Sequence, residues 1–146
     1  MQIIIGSDHA GYELKTRLIP FIEDMGYEVV DIGCDDETGV DYPDFAFALA
    51  ERVAAGVFER GIIICGTGIG ASICANKVRG ARCALCTDET SARLTREHND
   101  SNILALGGRI TGVELAKGIV AAWLSTDFSN EKKHMARLAK IRDYEA

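Results

Sequence analysis

The sequence predicts an α/β fold: a three-layer α/β/α sandwich around a five-stranded parallel, doubly wound, Rossmann-like sheet. Three observations carry this. Short aliphatic runs alternate with helical patterns along almost the whole chain. The runs Ile3-Ile4-Ile5 and Ile62-Ile63-Ile64 are apolar at every position, as strands covered on both faces are. The runs close on glycine or turn-forming residues before the next helical pattern begins. Parallel strands need crossover connections, and right-handed crossovers place helices on both sides of the sheet.

The elements follow in order. Gln2–Gly6 reads as a strand. Gly11–Met25 reads as a helix, with Leu14, Leu18, Phe21, Ile22 and Met25 on one stripe. Pro20 inside it predicts a kink or a break, and Gly26 ends it. Glu28–Ile32 is the second strand, closed by Gly33. Asp35–Asp44 is a polar loop with Gly39 and Pro43. Asp44–Val57 is a helix with Phe45, Leu49 and Val53 at helical spacing. Gly61–Cys65 is the third strand, Ala71–Val78 the next helix and Arg82–Cys86 the fourth strand. Glu89–Asn99 is a helix, ended by the turn cluster Asn99-Asp100-Ser101-Asn102. Ile103–Leu106 is the fifth strand, stopped by Gly107-Gly108. Val113–Leu124 is a strongly apolar helix, and residues 130–144 form a charged C-terminal one.

With 146 residues and 47% hydrophobic content, the chain suits a single domain over residues 1–146. The net charge of −6 and the lack of a long basic run argue against general nucleic-acid binding. No apolar run approaches the roughly 18 residues of a membrane span. The N-terminus enters a strand without a secretory pattern. Five cysteines, an odd count, then read as reduced thiols in the cytoplasm.

In such sheets ligands bind beyond the carboxyl ends of the strands. The residues at those ends are polar: Ser7, Asp8 and His9; Cys65 to Gly70; Thr87 and Asp88; Gly107, Gly108 and Arg109. The stretch Gly66-Thr67-Gly68-Ile69-Gly70 is a strand–glycine loop–helix junction, whose backbone can approach an anion closely. Gly66-x-Gly68-x-x-Ala71 formally fits a dinucleotide fingerprint, with Asp88 as the ribose-binding acid. Against that, the motif follows the third strand rather than the first. Gly70 shortens the helix start, and Cys65 has no role in the scheme.

Free cysteine usually serves as a small buried hydrophobe, which suits Cys34, Cys74, Cys83 and Cys86. Cys83 and Cys86 form a C-x-x-C, but on a strand they face opposite sides, and no second pair completes a zinc site. Cys65 differs by position. Burial raises a thiol pKa and a nearby helix N-terminus lowers it, so the two influences compete there. The three histidines are His9, at the ligand edge, His98, before the Asn99 turn, and His134, in a basic segment with Lys133 and Arg137. That segment is an ordinary solvated face or, on an acidic protein, a phosphate site.

Several motifs occur in one order: Gly6-Ser7-Asp8-His9-Ala10-Gly11, Asp41-Tyr42-Pro43-Asp44, Ile64-Cys65-Gly66-Thr67-Gly68-Ile69-Gly70, Ala75-Asn76-Lys77, His98-Asn99-Asp100 and Leu106-Gly107-Gly108-Arg109. In this the chain resembles ribose-5-phosphate isomerase type B, of the family that also holds galactose-6-phosphate isomerase. The resemblance implies interconversion of ribose 5-phosphate and ribulose 5-phosphate through an enediolate, with no metal or cofactor. It implies Cys65 as the base between C1 and C2, and the Gly66–Gly70 amides, those of Gly68 and Ile69 included, as the oxyanion hole. Thr67 would move the proton between the two oxygens. His98, assisted by Asp8, would open the sugar ring, and Asn99 would hold substrate oxygens. Arg109 and Arg137, with His9, Lys133 and His134, would bind the phosphate. Lys133 stands where relatives often carry arginine, which keeps the charge but loses the fork. Some relatives use a glutamate after the loop instead of the cysteine, and here that position is Ala71. The implied partners are a phosphorylated small sugar and a second copy of the chain, in a homodimer or dimer of dimers. The alternatives are a hexose 6-phosphate substrate (allose or galactose) and a non-catalytic nucleotide-binding module.

Overall fold

A computed structural model describes all residues, 1–146. The strands are β1 (Gln2–Ser7), β2 (Glu28–Asp31), β3 (Arg60–Cys65), β4 (Cys83–Leu85) and β5 (Ile103–Gly107). The helices are α1 (Tyr12–Asp24), α2 (Tyr42–Ala54), α3 (Ile69–Ala75), α4 (Glu89–Asn99), α5 (Val113–Ser125) and α6 (Lys132–Glu145). The sheet is parallel throughout, in the order β2-β1-β3-β5-β4. The expected doubly wound sandwich is therefore present.

Alternation along the buried strands divides the core in two. Ile3, Ile5, Ile62, Ile64, Leu104 and Leu106 pack on one face with residues of α1 and α5. Ile4, Ile63, Cys65, Ile103 and Ala105 pack on the other, with residues of α2 and α3. Strands covered on both faces need apolar residues at every position, which explains the unbroken isoleucine runs. Cys83 belongs to the second core and Cys86 to the first, so they face opposite sides of the sheet as expected. Burial pushes the Cys83 thiol up to about 12 and the Cys86 thiol up to about 11, which keeps both protonated and inert.

Three local expectations are corrected. Of the kink or break expected at Pro20, the break does not occur, since helix α1 runs through it. Thr16 and Pro20 both lie on its exposed side, so the carbonyl that the proline leaves unpaired faces water. Helix α2 begins at Tyr42 rather than Asp44, because Pro43 falls in the first turn, where its missing N–H costs nothing. Helix α3 begins at Ile69 rather than Ala71, so Gly70 lies inside the first turn instead of delaying it.

Lys15 is completely buried. Its ammonium donates to Asp31 Oδ1 at 2.7 Å, to Asp31 Oδ2 at 2.9 Å and to the Cys34 carbonyl at 2.5 Å. A buried charge must be paired and hydrogen-bonded, and here the pairing ties α1 to the end of β2. No helix is long and apolar enough to cross a membrane.

Gly68 caps α3 at φ +79°, in the left-handed region. A Cβ there would lie 2.5 Å from Leu85 Cδ1 and 2.9 Å from the Leu106 carbonyl carbon. Gly68→Ala therefore combines left-handed strain with overpacking, and is expected to destabilise by roughly 2–4 kcal/mol. Gly39→Ala, which meets nothing within 4 Å, is the control and is expected to stay within about 0.5 kcal/mol. Denaturant titration of both variants checks this, and equal losses would contradict it.

Candidate active site

β1, β3 and β5 are neighbours, so the loops that follow them meet at one edge. They enclose a cleft of about 470 Å³. Asp8 enters it from β1, Cys65 and Thr67 from β3, and Arg109 from β5. The register pairs Cys65 with Gly107, and the ladder continues past the strands. Gly108 N–H donates to the Cys65 carbonyl at 2.8 Å and Arg109 N–H to the Gly66 carbonyl at 2.9 Å. With these carbonyls taken up, the Gly66, Thr67 and Gly70 amides have no acceptor within the chain. The loop thus offers donors and withholds acceptors, which suits an anionic oxygen.

Cys65 is only 4% exposed. Its Sγ accepts a hydrogen bond from Gly68 N–H at 3.2 Å. The Cys74 thiol is pushed up by burial first and by the neighbouring Cys65 second. Thr67 Oγ1 accepts from Ile69 N–H at 3.2 Å, which orients the hydroxyl at the cleft mouth. Asp8 is buried, and its Oδ1 accepts from Gly11 N–H at 3.1 Å, capping the 3-10 turn His9–Gly11. His9 Nδ1 lies 3.1 Å from Val40 N and 3.2 Å from Val40 O, so this ring ties β1's loop to the 35–40 segment. His9 does not line the cleft.

His98, Asn99, Lys133, His134 and Arg137 do not line it either. Topology explains their absence. α4 runs antiparallel to the strands, so its C-terminal end lies where the strands begin. Asn102, just beyond it, accepts from Gly61 N–H at the start of β3 at 2.9 Å. Cys65 is at the other end of that strand, roughly 15 Å away at about 3.3 Å per residue. At this far edge the His98 and His134 rings stack, with centroids 4.5 Å apart and planes 19° from parallel. Lys133 and Arg137 are exposed beside them on α6. One chain thus holds two separate groups of the expected residues, at opposite edges of its sheet.

The sequence reading assigned no role to Tyr42, Ile69 or Ile73 as side chains. All three line the cleft. Tyr42 lies against Gly70 so closely that a Cβ there would be 2.5 Å from its ring. The motif Asp41-Tyr42-Pro43 was the available signal. Ile69 and Ile73 are 53% and 56% exposed, one turn apart on α3. Asp88, the acid of the nucleotide alternative, is occupied elsewhere. It caps α4, accepting from Ser91 N–H at 2.7 Å and Ser91 Oγ at 2.9 Å, and these bonds hold its carboxyl below the usual range. No group of three or more His, Cys, Asp or Glu side chains is placed to hold a metal ion.

His134 is held below the usual histidine range, by burial first and by the adjacent His98 second. The unfolded chain then binds the proton more readily, so this ring's contribution to stability is present above about pH 6.5 and is lost as pH falls through the folded value. In NMR titration His134 is expected to titrate below an exposed histidine. His98→Asn should raise its midpoint, and an unmoved midpoint would contradict the coupling.

Comparison with known proteins finds relatives over nearly the whole chain. A family model described as Ribose/Galactose Isomerase matches residues 3–141. The chain is 44% identical over 140 residues to ribose-5-phosphate isomerase B of Escherichia coli, covering 96% of this chain and 93% of that one. A solved structure of Clostridium thermocellum ribose-5-phosphate isomerase B superposes with a TM-score of 0.96 at 52% identity, covering 99% of this chain and 97% of that one. The Mycoplasma genitalium ribose-5-phosphate isomerase B, solved with bound ribulose-5-phosphate, superposes with a TM-score of 0.93 at 38% identity, covering 99% and 95%. With a near-complete match in sequence, in fold and to the family model, the chain belongs to the ribose/galactose isomerase family.

Proposed function

We propose that the protein interconverts ribose 5-phosphate and ribulose 5-phosphate, and that Cys65 is the base. The observation that carries this is the buried Cys65 thiol, with Gly68 N–H on its sulfur, among loop amides that have no acceptor in the chain. The thiolate takes the proton from C2 of the open-chain aldose, so the C2–H bond breaks and an S–H bond forms. The electron pair moves into the C1–C2 bond, and the carbonyl oxygen becomes an enediolate oxygen facing the Gly66–Gly70 amides. Thr67 passes a proton between O1 and O2. The thiol then returns its proton to C1, giving the ketose. Each well-aimed amide contributes on the order of 10²–10³-fold, and the base roughly 10²–10⁴-fold.

Ring opening and phosphate binding need the other group. In this reading His98, with Asp8 opposite, opens the furanose, and Asn99 holds sugar oxygens. Arg109, His9, Lys133, His134 and Arg137 hold the phosphate. Since the two groups lie at opposite sheet edges of one chain, the reading requires a homodimer in which the α4–α6 edge of one copy covers the cleft of the other. Ile69 and Ile73, apolar and exposed at the cleft wall, suit burial against such a partner. The family name also covers galactose, so a hexose 6-phosphate is the second reading.

Cys65→Ala is expected to lower kcat on ribose 5-phosphate by about 10²–10⁴-fold with little change in KM, because the base acts on the transition state more than on binding. Retained turnover would remove Cys65 as the base. Run side by side, kcat/KM is expected to be higher for ribose 5-phosphate than for allose or galactose 6-phosphate. The reverse order would favour the second reading.

A further inference from the structure

The α4–α6 edge is built around two buried arginines that share one tryptophan. Arg60 and Arg96 are 3% and 5% exposed. Their guanidinium carbons lie 5.5 Å and 6.0 Å from the Trp123 ring. Arg60 Nη1 donates to the carbonyls of Trp123 at 3.0 Å and Leu124 at 2.8 Å, at the C-terminal end of α5, where a cation is favoured. Trp123 Nε1 donates to Ser101 Oγ at 3.0 Å. Two neighbouring cations are costly to bury, and Arg60 is held below the usual arginine range by burial first and by Arg96 second. A well-packed apolar cluster would stabilise the fold at less cost, so the arrangement calls for another account.

The bonds of Arg96 supply one. Its Nη1 donates to Asp100 Oδ1 at 3.0 Å and to the Ser101 carbonyl at 2.5 Å, and its Nε donates to the Thr126 carbonyl at 3.1 Å. Asp100 is the left-handed C-cap of α4, at φ 45°. A single planar fork thus joins the turn directly after His98 and Asn99 to the segment that leads into α6. On the far side of that segment Ser129 Oγ donates to the Glu97 carbonyl at 2.7 Å. His98 lies in the chain between the tied residues Glu97 and Asp100, and its stacking partner His134 follows the tied segment on α6. Only a guanidinium offers donors in the fixed directions that reach all three acceptors.

We propose that Arg96 is a positioning residue for the reaction: it fixes the turn that presents His98 and Asn99, and the α6 approach that presents His134, in one mutual geometry. The inference rests on the proposed role of His98 in ring opening. Displacing a reacting group by about 1 Å can cost on the order of 10²-fold in rate.

The test is a double-mutant cycle of Arg96→Lys with His98→Asn, assayed on ribose 5-phosphate. Melting temperature and oligomeric state are recorded for each variant. Arg96→Lys keeps the charge and loses the fork. It is expected to lower kcat by about 10²-fold with a smaller change in KM. In the His98→Asn background its further cost in kcat should be much smaller, since its effect on ring opening passes through that ring. Losses that multiply would overturn the positioning role. Full turnover by Arg96→Lys while His98→Asn is impaired would overturn it alone. Full turnover by His98→Asn would instead overturn the ring-opening role, and this inference with it. If Arg96→Lys does not fold, Asp100→Gly takes its place in the cycle. Glycine keeps the left-handed backbone and removes one acceptor of the fork.

Discussion

The site depends on how closely the backbones of adjacent loops approach one another at the carboxyl edge of the sheet. The loop after β3 lies directly on the end of β5. A Cβ on Gly107 would sit 2.7 Å from the Thr67 carbonyl group, and one on Gly68 would collide with Leu85 and Leu106. No side chain separates the two segments, so backbone meets backbone. That contact leaves the Gly66, Thr67 and Gly70 amides without an acceptor in the chain and brings Gly68 N–H onto the Cys65 sulfur. It also leaves little room for adjustment, because interiors packed this tightly transmit strain rather than absorb it.

The second half of the machinery follows an opposite rule. At the α4–α6 edge the parts are held by side chains, through two arginines, a tryptophan and a stacked pair of histidines. The chain has a net charge of −6, yet Lys133 and Arg137 are exposed at this edge beside the histidines. Anion binding on an acidic protein needs such local concentration of cations. In the proposed reading, one edge stabilises charge that develops on oxygen during reaction, and the other carries the permanent charge that meets a phosphate. Joining them across two copies would place both on one substrate.

Much of this was legible in the sequence. The strand count, the parallel arrangement and the polar edge followed from isoleucine runs and the residues closing them. The opposed faces of Cys83 and Cys86 followed from strand alternation. The break allowed at Pro20 does not occur because a proline on a solvent-facing helix surface leaves its unpaired carbonyl in water, and periodicity alone does not register that. The start of α3 was misjudged because Gly68, in the left-handed region, caps the helix before Gly70. The separation of His98 from Cys65 was also available in principle. A crossover helix returns the chain to the opposite edge, so a residue at its end is far from any strand's carboxyl end. The paired arginines around Trp123 had no signature, since their partners are mostly backbone carbonyls distant in sequence.

The central claim is that one working site draws Cys65 from one copy and His98 from another. Mixing Cys65→Ala with His98→Asn under conditions of subunit exchange tests it most directly. Each variant alone is expected to be nearly inactive. The mixture should recover about a quarter of wild-type activity, since half of the dimers are then mixed and each carries one intact site of two. A mixture as inactive as its components, with exchange verified, would place both residues in one chain's site and contradict the account.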